Sequence, residues 1–280
     1  MTDVGATRVA VYLDFDNIVI SRYDQVHGRN SFQKDKAKGL DAERLKTATV
    51  DVGAVIDFAS SFGTLVLTRA YADWSADINA DYRHQLVARA VDLVQLFPAA
   101  AYGKNGADIR LAVDAVEDMF RLPDLTHVVI VGGDSDYIAL AQRCKRLGRY
   151  VVGIGVAGAS SGSLAAACDE FVTYDALPGV SSVPTKSAPK KKSSDAVAPD
   201  AQAAATGLLE RALRIGMQKD DDADWLHNSV VKAQMKRMDP SFSEKSLGFR
   251  SFSDFLRSRS EVVDLDESST TRLVRLHSEG

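Results

Sequence analysis

Two stretches of the chain place paired aspartates directly after an apolar run. VAVYL (9–13) is followed by Asp14, Asp16 and Asn17, and HVVIVGG (127–133) is followed by Asp134 and Asp136. Short β-branched apolar runs read as buried strands, so each pair belongs at a strand end. If the two strands are neighbours in a parallel sheet, four carboxylates share one rim. Like charges so placed repel by several kcal/mol, in order of magnitude, unless a cation sits between them. A divalent metal is the economical partner, and an oxygen-only donor set points to Mg²⁺ or Mn²⁺ rather than zinc.

A fifth acid comes from YGKNGADIRLAVDAVEDMF (102–120). On a helical wheel Ile109, Ala112, Val113, Val116 and Phe120 form an apolar face, expected to be the core face, with Asp108 at its edge near the helix start. Asp108 can therefore turn to the rim, although an acid in a first helical turn is also favoured by the helix dipole. Asp114 falls nearly opposite the apolar face, alongside Glu117 and Asp118, and is expected in solvent.

The elements that must position these residues follow from the hydrophobic pattern. Runs at 9–13, 64–71, 91–97, 127–133 and 150–156 read as strands, and residues 42–61, 78–90, 107–121 and 136–147 as helices. The alternation predicts an α/β domain over residues 1–178, a doubly wound parallel sheet covered on both faces. In such sheets ligands gather at the carboxyl ends of the strands. Neither GxxxxGK[ST] nor GxGxxG follows the first strand, which argues against nucleotide and dinucleotide folds. Residues 179–203, rich in Pro, Ser, Ala and Lys, read as a flexible linker. Its Lys190, Lys191 and Lys192 are expected to be a solvated tether. Residues 204–280 predict a small winged-helix-like unit of two or three short helices, with a last strand around 271–276 as the wing.

Charge gives no general argument for a polyanionic partner. Residues 1–178 carry 18 Lys+Arg against 23 Asp+Glu, residues 179–203 carry 4 against 2, and residues 204–280 carry 12 against 13. A nucleic-acid partner would have to be met by local patches. The stretch 21–39, SRYDQVHGRNSFQKDKAKG, has five Lys+Arg against two Asp and is expected to be a surface loop beside the acidic rim, able to gather a phosphate backbone. Two cysteines, Cys144 and Cys168, are too few for a disulfide framework or a zinc site and are expected to be buried hydrophobes. No apolar segment reaches the roughly 20 residues of a membrane span, and the N-terminus lacks the pattern of a signal peptide. A cytoplasmic protein is expected.

In YLDFDNI, KNGADIRLAVD, VIVGGDSDYIAL and CDEFVTY the chain resembles NYN domains, which have the PIN-like ribonuclease fold, over roughly residues 7–176. The resemblance implies a metal-dependent ribonuclease whose acidic residues map onto Asp14, Asp108, Asp134 and Asp136. It places Asn17 beside the site, where the strand-end reading also puts Asp16 in support, and matches Asp114 and Asp169 to recurrent acidic positions. SFSEKSLGFRSFSDFLRSRSEVVDLDE resembles the end of an OST-HTH (LOTUS) domain, covering about 205–277, and implies RNA binding or protein docking. Phe249, Phe252 and Phe255 there are expected to be core. Candidate RNA contacts are Arg22, Arg69, Tyr71 and Lys104 in the first domain and Lys232, Lys236 and Arg237 in the second.

Two other readings remain. A haloacid-dehalogenase-type phosphatase also uses an Asp-x-Asp after its first strand, but Asn17-Ile18 stands where such enzymes carry Gly-Thr, and Asp108 has no role in that chemistry. Thr68 and Lys104 could fill its other positions. A catalytically silent RNA-binding protein is the second, and the complete acidic set argues against it.

Overall fold

In the computed structural model the five apolar runs form strands: β1 (Arg8–Asp14), β2 (Thr64–Ala72), β3 (Asp92–Gln95), β4 (His127–Val131) and β5 (Tyr150–Gly155), joined by a sixth, β6 (Glu170–Thr173). The structure describes residues 7–97, 106–156, 162–180, 199–219, 225–267 and 272–277. All six strands are parallel, in the order β3-β2-β1-β4-β5-β6. The chain thus winds outward from β1 in one direction and from β4 in the other. The switch between these two windings lies between β1 and β4, where Leu13 is in register with Val131. A crevice opens at such a point because the connections leave it on opposite sides.

Both faces of the sheet are buried, as a parallel sheet requires. Val9, Val11 and Leu13 of β1 join one core cluster, while Ala10 and Tyr12 join the other. The helices of this unit are α1 (Phe15–His27), α2 (Ser31–Lys36), α3 (Ala42–Thr47), α4 (Val52–Ser60), α5 (Asp77–Ala80), α6 (Arg83–Ala88), α7 (Gly106–Arg121), α8 (Tyr137–Arg146) and α9 (Gly162–Ala167), with α2 and α3 packed on α1 around Tyr23 and Phe32.

Several sequence expectations change. Residues 21–39, expected to be a loop, complete α1 and form α2. The cause is a helical spacing of buried side chains, Phe15, Ile18, Val19, Arg22 and Tyr23, that the apolar run Ile18-Val19-Ile20 obscures. The expected helix 42–61 is two helices, because Asp41 and Asp51 each cap a new start, accepting from Arg44 N and Ala54 N respectively. The expected helix 78–90 likewise divides, into α5 and α6.

The largest change concerns α7. Its core face is Leu111, Ala115 and Met119, all buried, together with buried Asp118. Ile109, Val113 and Phe120, expected inside, are exposed. Polar tips in the sheet decide the orientation: Tyr12 Oη and Arg69 both donate to Asp118, and Tyr71 Oη donates to Asp114. Burying Tyr12, Arg69 and Tyr71 without acceptors would cost about 1–3 kcal/mol each, so the acidic side of α7 turns to the sheet.

The chain divides into two compact units, Met1–Lys186 and Ser187–Gly280. In the second, α10 (Pro199–Lys219), β7 (Leu226–His227), α11 (Asn228–Met238), α12 (Phe252–Arg257), β8 (Val263–Asp266) and β9 (Leu273–Leu276) follow in sequence. β9 pairs antiparallel with both β7 and β8, giving three helices and a small wing around a separate core that includes Leu209, Leu213, Val231, Met235, Phe255 and Val274. Phe252 and Phe255 are buried in it and Phe249 packs against it. Helix α10 takes the last residues of the stretch expected as linker. Proline suits the first position of a helix, and the alanines that follow it are strong helix formers. Among the described residues, no helix is long and apolar enough to cross a membrane.

Candidate metal centre

Asp14 ends β1 and is also the N-cap of α1, where its Oδ1 accepts from Asn17 N at 3.2 Å. An N-cap aspartate is a usual choice at such a junction, but this one is only 3% exposed. Its second oxygen, Oδ2, lies 2.8 Å from Tyr137 Oη, and the same hydroxyl lies 2.7 Å from Asp108 Oδ1. Asp108 occupies the first turn of α7 and Tyr137 begins α8. One buried tyrosine therefore ties the end of β1 to the start of α7.

A hydroxyl has one proton and cannot donate to two carboxylates at once. Both contacts are satisfied when one carboxyl is itself protonated and donates to the tyrosine oxygen. Burial assigns that proton to Asp14, pushing its pKa up to about 7; the Tyr137 and Asn17 hydrogen bonds oppose the rise, while the charges of Asp108 and Asp16 add to it. Burial, with Asp14 and Asp108 beside it, also holds the Tyr137 phenol far above its ordinary value.

Asp108, Asp134 and Asp136 each bring a carboxylate oxygen within 4.8 Å of the others. Asp134 Oδ1 accepts from the backbone N–H of Asp136 at 3.1 Å, which fixes the turn after β4. Asn17 Oδ1 accepts from Gly133 N at 3.0 Å and holds that turn to the start of α1. Gly132 makes the approach feasible, since a Cβ there would lie 3.1 Å from the Tyr137 ring and 3.3 Å from Asp14 Cβ. Carboxylates from α7 and from the turn after β4 thus converge beside the switch point, with Asp14 joined to them through Tyr137. Such hard, mutually repelling oxygens are the donor set that Mg²⁺ or Mn²⁺ prefers, so the residues fit a divalent cation.

The other sequence-predicted residues lie in different settings. Asp16 turns from the cluster: it accepts from Asn79 Nδ2 and from Asp73 N at 3.2 Å, and so pins the segment between β2 and α5. Asp114 accepts from Tyr71 and from Arg110. Asp169 accepts from Val151 N and pairs with Lys145, which puts it at the amino end of β5, the opposite rim. Arg22 is buried with its guanidinium over the Tyr174 ring, Arg69 is paired with Asp118, and Tyr71 is fully buried, so it offers a base no stacking face. Lys232 pairs with Glu244 and lies over the Phe252 ring. Lys236 is half-buried on α11 and Arg237 is exposed beside it. Lys104 lies outside the described residues. Cys144 and Cys168 are buried free thiols whose pKa values burial pushes up to about 12.

Sequence reasoning missed Tyr137, Asn79 and Asp118. Tyr137 follows Asp136 directly, and a tyrosine at the head of a buried helix, one residue past two acids, was the available signal. Asp118 was recoverable from its spacing with Leu111, Ala115 and Met119.

The NYN domain family model matches residues 8–175 and the OST-HTH/LOTUS domain model matches residues 201–275. The chain belongs to the NYN domain family, a PIN-like nuclease family, and carries an OST-HTH/LOTUS domain, a class associated with RNA binding, after it. Proteins of the NYN and PIN-like kind generally use divalent metals. Among solved structures the chain is similar to a protein of unknown function, VPA0982 from Vibrio parahaemolyticus RIMD 2210633, at 21% identity over 62% of this chain and 96% of that one, with a TM-score of 0.45. No curated protein matches the chain.

Proposed function

We propose that the first unit is a ribonuclease that hydrolyses RNA phosphodiester bonds with Mg²⁺ or Mn²⁺, and that the second unit adds RNA contacts. The observation that carries this reading is the convergence of Asp108, Asp134 and Asp136 beside buried Asp14 at the switch point of an NYN sheet. These four aspartates would hold the ion, which when bound supplies Lewis acidity for water activation and for charge on the phosphate.

The chain's own residues divide the remaining work. Exposed Asp136 and half-buried Asp134 face the side from which substrate arrives. Asp14, shut off from water, is only partly ionised at neutral pH, and the remaining proton must leave when a cation binds, so binding becomes tighter as pH rises through about 7. Tyr137 fixes the direction of both Asp14 and Asp108, and Asn17 keeps the turn after β4 from drifting. Rigid support of this kind matters because hydrolysis in line with the leaving oxygen tolerates little misplacement.

The test is cleavage of single-stranded RNA, single-stranded DNA and a phosphomonoester by chelated protein, with ions added back singly. RNA cleavage is expected with Mg²⁺ or Mn²⁺ and to be lost in Asp134→Asn. Ca²⁺ is expected to occupy the site and inhibit, because it takes more ligands at longer distances. Turnover of the phosphomonoester through a trapped aspartyl-phosphate on Asp14, with RNA left intact, would replace this reading with the phosphatase one.

A further inference from the structure

We infer that Lys36, the last residue of α2, binds a backbone phosphate of the RNA strand beside the aspartate cluster, so that the substrate crosses the rim from the turn after β4 toward the end of β2. The inference deepens the nuclease reading and rests on it for the identity of the strand.

Local structure fixes where Lys36 stands. Asp24 on α1 accepts from the backbone N–H groups of Asn30 and Phe32 at 2.9 and 2.8 Å, which fastens the start of α2 to the helix that Asp14 caps. Phe32 is buried against the Tyr23 ring, so α2 has a fixed inner side. Lys36 follows one turn later, its Nζ 5.9 Å from the centre of the Phe32 ring. Residues 28–39 hold four cations, Arg29, Lys34, Lys36 and Lys38, all exposed, and a single acid. That acid, Asp35, is engaged by the Tyr23 hydroxyl and by Arg44. The segment therefore presents positive charge to solvent, although residues 1–178 as a whole carry more acid than base.

Two acids at strand ends show what Lys36 faces. Asp16 follows the end of β1 and Asp73 the end of β2, and Asp16 accepts from Asp73 N. Burial raises the Asp16 pKa, and the Lys36 charge is among the influences opposing that rise. The Ser75 hydroxyl leads the groups that lower the Asp73 pKa, and Lys36 is again among them. One ammonium thus lies within electrostatic reach of the carboxyl ends of both strands. Other donors already occupy these acids: Asn79 and Asp73 N on Asp16, Ser75 and Gln95 on Asp73. The sheet order β2-β1-β4 then sets Lys36 on one side of the β1 end and the turn carrying Asp134 and Asp136 on the other. Neighbouring strands are about 4.8 Å apart, so the two sides are separated by roughly 10 Å. RNA brings one negative charge per nucleotide to a rim that is itself acidic, and a cation at this distance offsets the repulsion without entering the cluster.

The test follows a labelled single-stranded RNA of about six nucleotides, its binding to the full chain by anisotropy in Ca²⁺ and its cleavage in Mg²⁺ or Mn²⁺. Lys36→Gln should weaken binding about fivefold at low salt and make the log–log salt slope shallower by about 0.7, the value for one phosphate of a single strand. KM should rise by a similar factor with kcat within about twofold of wild type, and the melting temperature should not change. Lys36→Arg should restore binding and KM. Arg146 is exposed at the end of α8, on the rim where β5 begins, and Arg146→Glu should leave both as they are. No binding by the wild type, wild-type affinity and slope in Lys36→Gln, or equal weakening by Arg146→Glu overturns the inference, as does a fall in kcat with KM unchanged. A wild-type chain that cuts RNA while Lys36→Gln binds and cuts as it does removes the phosphate contact and keeps the nuclease. Binding that depends on Lys36 in a chain that cuts RNA with no ion keeps the contact and removes the nuclease.

Discussion

At the scale of single residues, Asp14 is held from both sides, its two carboxyl oxygens engaged by Asn17 N and Tyr137 Oη. Its carboxyl has an ordinary pKa of 3.8 and a folded value of about 7, so the folded chain holds a proton there that the unfolded chain releases. The stabilisation from that proton is complete below about pH 4 and disappears as pH rises through about 7. At one pKa unit per 1.36 kcal/mol the loss is on the order of 4 kcal/mol. In chelator, the wild-type melting temperature should therefore fall between pH 5 and pH 8. Asp14→Asn keeps an N-cap and removes the titration, so its profile should be flatter and its stability at pH 8 higher, while RNA cleavage is lost. A mutant melting profile with the wild-type slope would mean that another group carries the titration. The outcome separates a carboxylate kept for chemistry from one kept for folding.

At the scale of elements, α7 supplies a contrast between two faces of one helix. Leu111→Ala removes a fully buried side chain and should cost about 2–5 kcal/mol. Phe120→Ala, measured on dilute protein, should change stability by no more than about 0.5 kcal/mol. Urea unfolding of both variants decides it, and the opposite order would restore the face that the wheel alone favours. The contrast also explains what was legible in the sequence. β1, β2, β4 and β5 are largely apolar, β-branched-rich runs whose identity does not depend on neighbours, so their succession along the chain and the aspartates that follow β1 and β4 could be read directly. The choice between the two apolar faces of α7 could not, since it rests on Tyr12, Arg69 and Tyr71, which lie far from it in sequence. α1 escaped because Ile18, Val19 and Ile20 form a run that conceals the helical period. Asp14 and Asp16 looked equivalent in sequence. A helix starting between them sends one side chain to Tyr137 and the other to Asn79, a divergence visible once α1 is placed. β6, four residues long and half-buried, has too little pattern to stand out.

At the scale of the whole molecule, two units with separate cores imply separable roles. Asp14, Asp108, Asp134 and Asp136 all belong to the first unit, so a chain ending at Lys186 should fold and should cut short unstructured RNA. Residues 1–178 carry a net charge of −5, from 18 Lys+Arg and 23 Asp+Glu, and their acidic rim repels the phosphates it must approach. Arg22 and Arg69, which would have offset that repulsion, are committed to Tyr174 and Asp118. Under the proposed function, longer RNA should then depend on basic groups of the second unit, where Arg237 on α11 is exposed. The truncated chain should therefore bind long single-stranded RNA more weakly than the full chain. Its affinity should also respond less to salt, by about 0.7 in the log–log slope for each phosphate that is no longer neutralised. Arg237→Glu in the full chain should move both quantities in the same direction by a smaller amount. Affinity and slope that survive truncation unchanged would assign the second unit to protein docking, because a module that neutralises no phosphates displaces no counterions from the RNA, and removing it leaves the salt dependence where it was.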